Sequence, residues 1–332
     1  MKNIVVTMGD PGGIGPEVTV KALCSESLSG VCNPVVIGRA DIIREALQLA
    51  ELSVEVVPLK VMSESSPSDG KIEVIGIGPQ TPFRKGVSSA EAGRAGVSYV
   101  EKAVELALGG ETEAIVTAPV SKESLGLAGF SWRGHTELLA RLTGAEEFAM
   151  MFVSERLRVI LSTIHVPLNK VPLMITEELL LRTFKLAEKG LDMLGIQSGS
   201  IAVAGLNPHS GESGLLGEEE DGIIKPAIKK AADMGLNISG PYPPDVVFHK
   251  AYNGVFDIVV CMYHDQGLIP FKMLAFDIGV NMTVGLPVIR TSPDHGTGFD
   301  IAWKNKANPS SMIEAIKLAV RISAQKKKGT KA

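Results

Sequence analysis

The chain has 332 residues, enough for two hydrophobic cores, since single cores stop growing near ~250–300 residues. A hydrophobic fraction of 45% and a mean hydropathy of +0.20 fit a large core plus an apolar contact surface for another subunit. A formal charge of -4 excludes a general attraction to nucleic acid, and no apolar run approaches the ~18 residues of a membrane span.

Apolar runs alternate with helical periodicity along the whole chain. Strands are predicted near 3–7, 34–38, 72–76, 113–118, 148–153, 158–164, 200–206 and 257–263, and helices near 16–24, 89–109, 175–194, 221–234 and 309–323. Such alternation gives an α/β fold. Between the first strand and the first helix lies a Gly-rich turn, Met8-Gly9-Asp10-Pro11-Gly12-Gly13-Ile14-Gly15-Pro16-Glu17, with Pro16 suited to the first helical position. Its amides are either an anion receptor or a tight structural turn. Its spacing matches neither the G-x-G-x-x-G dinucleotide fingerprint nor the Walker loop. Residues 63–70 are polar and turn-rich, a surface loop. Further on, Arg133-Gly134-His135-Thr136-Glu137 opens a predicted helix with Thr136 as its cap.

Three of the apolar runs, 159–164, 200–206 and 258–263, lead into histidines: His165, His209 and His264. Continuous apolar strands belong to parallel sheets covered on both faces, and ligands gather at the carboxyl ends of such strands. Three imidazoles delivered there would leave the open position of a catalytic zinc site. The alternative is three ordinary loop histidines held by hydrogen bonds. Glu212 and Asp265 flank two of them, either to orient the rings or to stabilise turns. His249, beside Lys250, reads as a surface residue of a helix. After His264 come Lys272, Asn281 and Arg290, in a Pro/Gly-rich apolar segment with few other charges. A guanidinium fork with an ammonium is a common means of holding phosphate or carboxylate, with weak surface ion pairs as the other reading.

Cys24, Cys32 and Cys261 form no C-x-x-C pair and suit a reducing compartment. No export signal surrounds Ile4-Val5-Val6, so a cytoplasmic location is expected. The basic run Lys326-Lys327-Lys328 reads as a solvated, disordered tail.

The segment from His295-Gly296-Thr297-Gly298-Phe299-Asp300-Ile301-Ala302 to Ala307-Asn308-Pro309 resembles the adenosine-binding loop of isopropylmalate and isocitrate dehydrogenases, H-G-[ST]-A-x-D-I-A-G-K-G-x-A-N-P. Those enzymes bind NAD or NADP without a Rossmann fingerprint. The chain departs from the pattern at Gly298, Trp303 and Asn305, where Ala, Gly and Gly are expected. By this resemblance His295, Gly296, Thr297, Asp300 and Asn308 bind the cofactor.

Six further motifs, in order and spread over nearly all of the chain, resemble the 4-hydroxythreonine-4-phosphate dehydrogenase family of pyridoxal phosphate biosynthesis. They are Gly9-Asp10-Pro11 with Gly13-Ile14-Gly15-Pro16-Glu17, Thr117-Ala118-Pro119-Val120-Ser121-Lys122, Gly134-His135-Thr136-Glu137, Asn207-Pro208-His209-Ser210-Gly211-Glu212, Tyr263-His264-Asp265-Gln266-Gly267 and Gly285-Leu286-Pro287-Val288-Ile289-Arg290-Thr291-Ser292.

The resemblance implies two α/β/α lobes with a cleft between them, isocitrate/isopropylmalate dehydrogenase-like rather than a Rossmann fingerprint fold. Residues 1–130 with 275–332 would form the cofactor side, and residues 131–274 the metal, substrate and dimerisation side. It implies a homodimer whose active site is shared between subunits, with His165, His209 and His264 drawn from both to hold one divalent metal. Zinc suits such ligands best, and magnesium, cobalt or manganese are alternatives set by supply. His135, Thr136, Lys272, Asn281 and Arg290 would contact a small phosphorylated substrate. Asp245 matches a family aspartate, although Val246 stands where Thr is expected, and Asp245 with Lys272 would serve catalysis.

The activity implied is NAD(P)-dependent oxidation of 4-hydroxythreonine 4-phosphate, followed by decarboxylation, in pyridoxine 5'-phosphate synthesis. A sister branch takes D-threonate or D-erythronate 4-phosphate. Leu268-Ile269-Pro270-Phe271-Lys272 and Ile289-Arg290-Thr291-Ser292 resemble the hydroxythreonine branch. A metal-dependent hydrolase is the remaining alternative, since an open zinc would equally activate water. The adenosine-type loop speaks against it.

Overall fold

The computed structural model describes residues 1–67, 70–78, 81–132 and 134–329, the last four by their backbone alone. Arg133 of the helix-opening motif and two residues of the 63–70 loop, Ser68 and Asp69, lie outside the described residues.

Strands β1 (Asn3–Thr7), β2 (Asn33–Gly38), β3 (Glu55–Leu59), β4 (Lys71–Gly76) and β5 (Ala114–Thr117) are interleaved with helices α1 (Gly15–Leu23), α2 (Ala40–Leu49) and α3 (Ala90–Leu108). Helices α4 (Lys122–Leu127) and α5 (His135–Thr143) follow. Next come β6 (Ala149–Val153), β7 (Arg158–Leu161), α6 (Val171–Met174), α7 (Glu177–Met193), β8 (Ile201–Ala204) and α8 (Lys225–Asp233). Then follow β9 (Ile238–Tyr242), α9 (Pro244–Tyr252), β10 (Ile258–Cys261), α10 (His264–Ala275) and β11 (Val280–Val284), with β12 (Arg290–Pro293) and α11 (Ser310–Gly329) last.

The chain folds as two compact units, Met1–Glu146 with Leu286–Ala332, and Glu147–Gly285. These divide at 146/147 and 285/286, whereas the sequence reading divides the chain at 130/131 and 274/275. As a result α5 with His135 belongs to the first unit and β11 with Asn281 to the second.

In the first unit the strands run β3-β4-β2-β1-β5-β12, all parallel. Ile4, Val5 and Val6 of β1 are fully buried, as are Ala114, Ile115 and Val116 of β5, because helices cover both faces of such a sheet. Helix α3 starts where the Ser89 hydroxyl accepts the Ala92 amide at 3.1 Å. It packs closely on α4 because Gly93 carries no side chain: a Cβ there would lie 2.1 Å from the Ser124 carbonyl oxygen.

In the second unit the order is β11-β6-β7-β10-β8-β9. Strand β6 is antiparallel to both neighbours, while β7, β10, β8 and β9 are parallel to one another. Its core gathers Phe152, Val159, Leu161, Ala202, Val259 and Phe271. The parallel run β7-β10-β8 turns three carboxyl ends to the same edge. Among the described residues no helix is long and apolar enough to cross a membrane.

All eight strands expected from the sequence form. Among the described residues four more form, for which the sequence predicts no strand. Strands β3 and β9 carry Pro58 and Pro241, and both lie at sheet edges, where a residue without an amide proton is tolerated. Strands β11 and β12 and helix α10 occupy the Pro/Gly-rich apolar segment, where no element is predicted; α10 contains Gly267 and Pro270, which mask its helical period. Helix α11 continues to Gly329, through the run expected to be a disordered tail.

Candidate active site

In the second unit the sheet delivers the histidines. His264 opens α10 directly after β10, and His165 follows β7, the parallel neighbour of β10. Their rings lie with centroids 5.6 Å apart, inclined at 40°. His264 Nδ1 sits 2.7 Å from Asp265 Oδ1, a contact through which the carboxylate orients the ring and can accept an Nδ1–H, which would leave Nε2 as the lone-pair nitrogen. Two imidazoles so placed fit a zinc-type cation by donor chemistry. His209, after β8, does not complete the group: among the described residues no three His, Cys, Asp or Glu side chains are placed to hold a metal.

The backbone around His209 is unusual. Residues 209–213 all have positive φ, at 52°, 54°, 78°, 44° and 56°, and only Gly211 is glycine. Left-handed conformations cost other residues about 1–2 kcal/mol each and persist where surroundings over-determine them. Glu220 provides those surroundings. It is 1% exposed; its Oε1 accepts the amides of Leu206 and Asn207, each at 2.8 Å, and its Oε2 accepts Asn207 Nδ2 at 2.9 Å. A Cβ on Gly211 would lie 2.8 Å from the same carboxylate. Sequence reasoning missed Glu220, since only its burial separates it from the acidic run Glu218-Glu219-Glu220-Asp221.

The other second-unit candidates lie on α9, α10 and β11. Asp245 is exposed in the first turn of α9, and His249 is an exposed residue of the same helix, as expected. Lys272 is half-buried on α10, its ammonium 5.8 Å from the Phe276 ring centroid. Asn281, in β11, is 9% exposed, and its buried Oδ1 accepts no hydrogen bond. An acceptor in that state calls for a donor from outside the chain's own set.

The first unit holds a second constellation. Arg290 opens β12, which pairs with β5, and is 3% exposed. Its Nη2 and Nε donate to the Thr117 hydroxyl at 2.7 and 3.2 Å. Burial pushes this guanidinium down to about 9. His135, the first residue of α5, has a buried Nε2 without a hydrogen-bond partner. Burial first, and the Arg290 charge second, hold its imidazole well below the ordinary range, so the ring is neutral at pH 7. A neutral ring nitrogen near a buried cation can receive a hydroxyl while the cation receives an anion. Thr117 belongs to one of the six motifs, and only its contact with Arg290 marks it as a site residue.

One expectation is corrected here, and one pair of alternatives is decided. Thr136 is not the cap of α5; the helix starts one residue earlier, with Gly134 at the cap position and no side-chain cap bond. The Gly-rich turn is not an open anion receptor either, because its amides are already used. Gly12 donates to Asp10 Oδ1 at 2.9 Å, Gly13 to the Asp10 carbonyl at 3.0 Å and Ile14 to the Thr297 carbonyl at 2.9 Å. Gly9, at φ +74°, passes so close to Pro119 that a Cβ would lie 2.5 Å from its carbonyl oxygen. The carboxyl of Asp10 is raised by burial, against a 2.7 Å hydrogen bond from Ser124 Oγ.

The loop between β12 and α11 lies on this turn. The Thr297 carbonyl takes the Ile14 amide, the Asp300 carbonyl takes Lys304 Nζ at 2.6 Å, and His295 Nδ1 is 3.1 Å from the Gly296 carbonyl. Asn308 Oδ1 accepts the amide and hydroxyl of Ser310, where α11 begins. Trp303 and Asn305, which stand where the dinucleotide pattern has glycine, hold φ of +60° and +57°. The glycine-type course of the backbone thus survives both substitutions.

A family model described as pyridoxal phosphate biosynthetic protein PdxA matches residues 30–319. The chain belongs to the PdxA family. It is 44% identical over 319 residues to a 4-hydroxythreonine-4-phosphate dehydrogenase of Desulforapulum autotrophicum, covering 95% of this chain and 94% of that one. It is also 44% identical over 329 residues to a D-threonate 4-phosphate dehydrogenase of Pectobacterium atrosepticum, covering 97% and 99%. Among solved structures, a 4-hydroxythreonine-4-phosphate dehydrogenase from Klebsiella pneumoniae superposes with a TM-score of 0.89 at 43% identity, over 97% of this chain and all of that one. PdxA-family membership fixes the mixed α/β fold and the dehydrogenase class of the relatives.

Proposed function

We propose that the chain oxidises the secondary hydroxyl of 4-hydroxythreonine 4-phosphate with NAD or NADP. The product, 2-amino-3-oxo-4-(phosphooxy)butanoate, would lose carbon dioxide to give 3-amino-2-oxopropyl phosphate. The observation that carries this reading is the buried Arg290 guanidinium, oriented by Thr117, with the neutral His135 ring beside it. A site built this way suits a small substrate bearing both an anionic group and hydroxyls.

Within the reading, the first unit supplies His135, Thr136 and Arg290 for the substrate and the 295–308 loop for the cofactor. The second supplies Lys272 for a further anionic group and Asn281 Oδ1 for an amine or hydroxyl donor. Asp245 and Lys272 are the residues for proton transfer. His165, His209 and His264 would hold one divalent cation, most suitably zinc, and a cation bound there supplies a lower pKa to a substrate hydroxyl. Asp265 keeps the His264 ring in the ligating tautomer. Glu220 and Asn207 hold the left-handed turn that presents His209.

A homodimer is part of the proposal. Leu168, Leu173, Ile269, Met273 and Phe276 of the second unit are 59–82% exposed, and so many large apolar side chains on one unit are best covered by another copy. A second subunit would also bring a histidine to the pair already together, supporting a site shared between subunits. The expected location is the cytoplasm.

A second reading, D-threonate 4-phosphate as substrate, is favoured by relatives of equal identity that carry that name. The dehydrogenase names of the relatives leave the hydrolase reading without support. A panel of both phosphates, each with NAD and NADP and defined metals, tests the proposal through formation of reduced nicotinamide.

A further inference from the structure

Behind the histidines, two buried side chains tie together the ends of β7, β10 and β8. The register of β10 with β8 ends at Val260 and Val203. Past that point Gln266 takes the place of a peptide group between the strands. Its Oε1 accepts the Met262 amide at 2.6 Å, and its Nε2 donates to the Gly205 carbonyl at 2.7 Å. The reverse orientation of the side-chain amide would set donor against donor and acceptor against acceptor, so its two partners fix it. Gln266 reaches the sheet because the next residue lets α10 press close: a Cβ on Gly267 would lie 2.9 Å from Cys261 Sγ and 3.0 Å from Leu161 Cδ2.

On the other side of β10, Thr163 holds the same stretch of backbone. Its hydroxyl and its amide both donate to the Met262 carbonyl, at 2.7 and 3.2 Å. Met262, two residues before His264, is therefore gripped at its N–H and at its C=O, and Thr163 stands two residues before His165. Gly205 carries the tie to the third histidine. A Cβ there would lie 2.7 Å from Ser210 Oγ and 3.0 Å from Ser210 Cα, so a displacement of Gly205 moves Ser210, and His209 with it. Helix capping explains only half of this arrangement. A glutamine at the third helical position commonly turns back to an amide at the helix start, as Gln266 does behind the Tyr263 cap. The bond to Gly205, 61 residues away, serves no cap.

We propose that Gln266 is a positioning residue for the metal centre: it clasps the ends of β8 and β10 and, with Thr163 tying β7, sets the spacing of the histidines that follow those ends. The proposal rests on the reading of His165, His209 and His264 as ligands of a divalent cation. In a site shared between subunits the clasp acts in each copy.

Titrating the full chain, stripped of metal, with cobalt(II) and following its visible absorption tests this. Gln266→Met keeps length and bulk without either hydrogen bond. It is expected to weaken cobalt binding at least about tenfold and to change the band intensities, since groups that support metal ligands act on that scale. Thr163→Val is expected to weaken binding in the same direction, and Thr163→Ser, which keeps the hydroxyl, to restore it. Ile201→Ala loosens the core at the opposite end of β8 and is expected to bind cobalt as the unaltered chain does. If Gln266→Met and Thr163→Val match the unaltered chain in affinity and spectrum, or if Ile201→Ala weakens binding as much as Gln266→Met, the clasp is overturned and the metal reading stands. Should Gln266→Met not fold, the contrast between Thr163→Val and Thr163→Ser decides. If the unaltered chain takes up no cobalt, both the clasp and the metal reading are overturned.

Discussion

Thr117 holds Arg290. One hydroxyl accepts both Nη2 at 2.7 Å and Nε at 3.2 Å, from strands that are neighbours in the first-unit sheet, and this fixes the plane of a guanidinium buried among apolar strands. A fork so oriented discriminates by geometry as well as by charge. Arg290→Lys keeps the charge but loses the fork, and is expected to lower kcat/KM about a hundredfold. Thr117→Val should raise KM about tenfold with kcat changed far less, because it loosens a binding group without removing it. Steady-state kinetics on both variants check the two outcomes.

His135 gives a pH signature. Its folded-state value lies below the ordinary 6.5, so as pH falls through about 6.5 the unfolded chain takes up a proton first. The contribution of this ring to stability is therefore complete above pH 6.5. It declines as pH drops until the ring protonates in the folded state. In urea unfolding the slope of stability against pH below 6.5 should be shallower for His135→Asn than for the unaltered chain. Equal slopes would contradict the neutral assignment.

The turn carrying His209 depends on Glu220. Glu220→Ala strips the acceptor from two amides and the Asn207 side chain, and should cost about 3 kcal/mol in urea unfolding. His209→Ala removes only the ring. It should leave the unfolding midpoint nearly unchanged while zinc retained after dialysis falls from about one ion per chain to a small fraction. Zinc retention equal to that of the unaltered chain would remove His209 from the ligand set.

Gly9 tests the Gly-rich turn as a structural device. With φ at +74° and a Cβ position 2.5 Å from the Pro119 carbonyl oxygen, Gly9→Ala is strained twice over. A loss of about 2 kcal/mol or more is expected, measured by chemical denaturation.

Much of this was legible in the residues. Periodicity located the eight interior strands because a parallel sheet covered on both faces needs unbroken apolar runs, and the histidines were found as the residues those strands lead into. What stayed hidden depends on three-dimensional neighbours. Pro58 and Pro241 hid strands that only an edge position permits. Glu220 looks like its acidic neighbours until its burial is seen. The Gly-rich turn reads equally as an anion receptor or a structural turn until Asp10 and Thr297 are seen to take its amides. Trp303 looked like a defect in a cofactor loop, and its left-handed backbone shows the loop keeping its course around it.

The most direct measurement follows absorbance of reduced nicotinamide while the chain, loaded with a divalent metal, is given NAD and either 4-hydroxythreonine 4-phosphate or D-threonate 4-phosphate. The account predicts turnover with the hydroxythreonine ester at a kcat/KM well above that for the threonate ester. Absorbance that stays flat with both esters, under NAD and NADP alike, would contradict it.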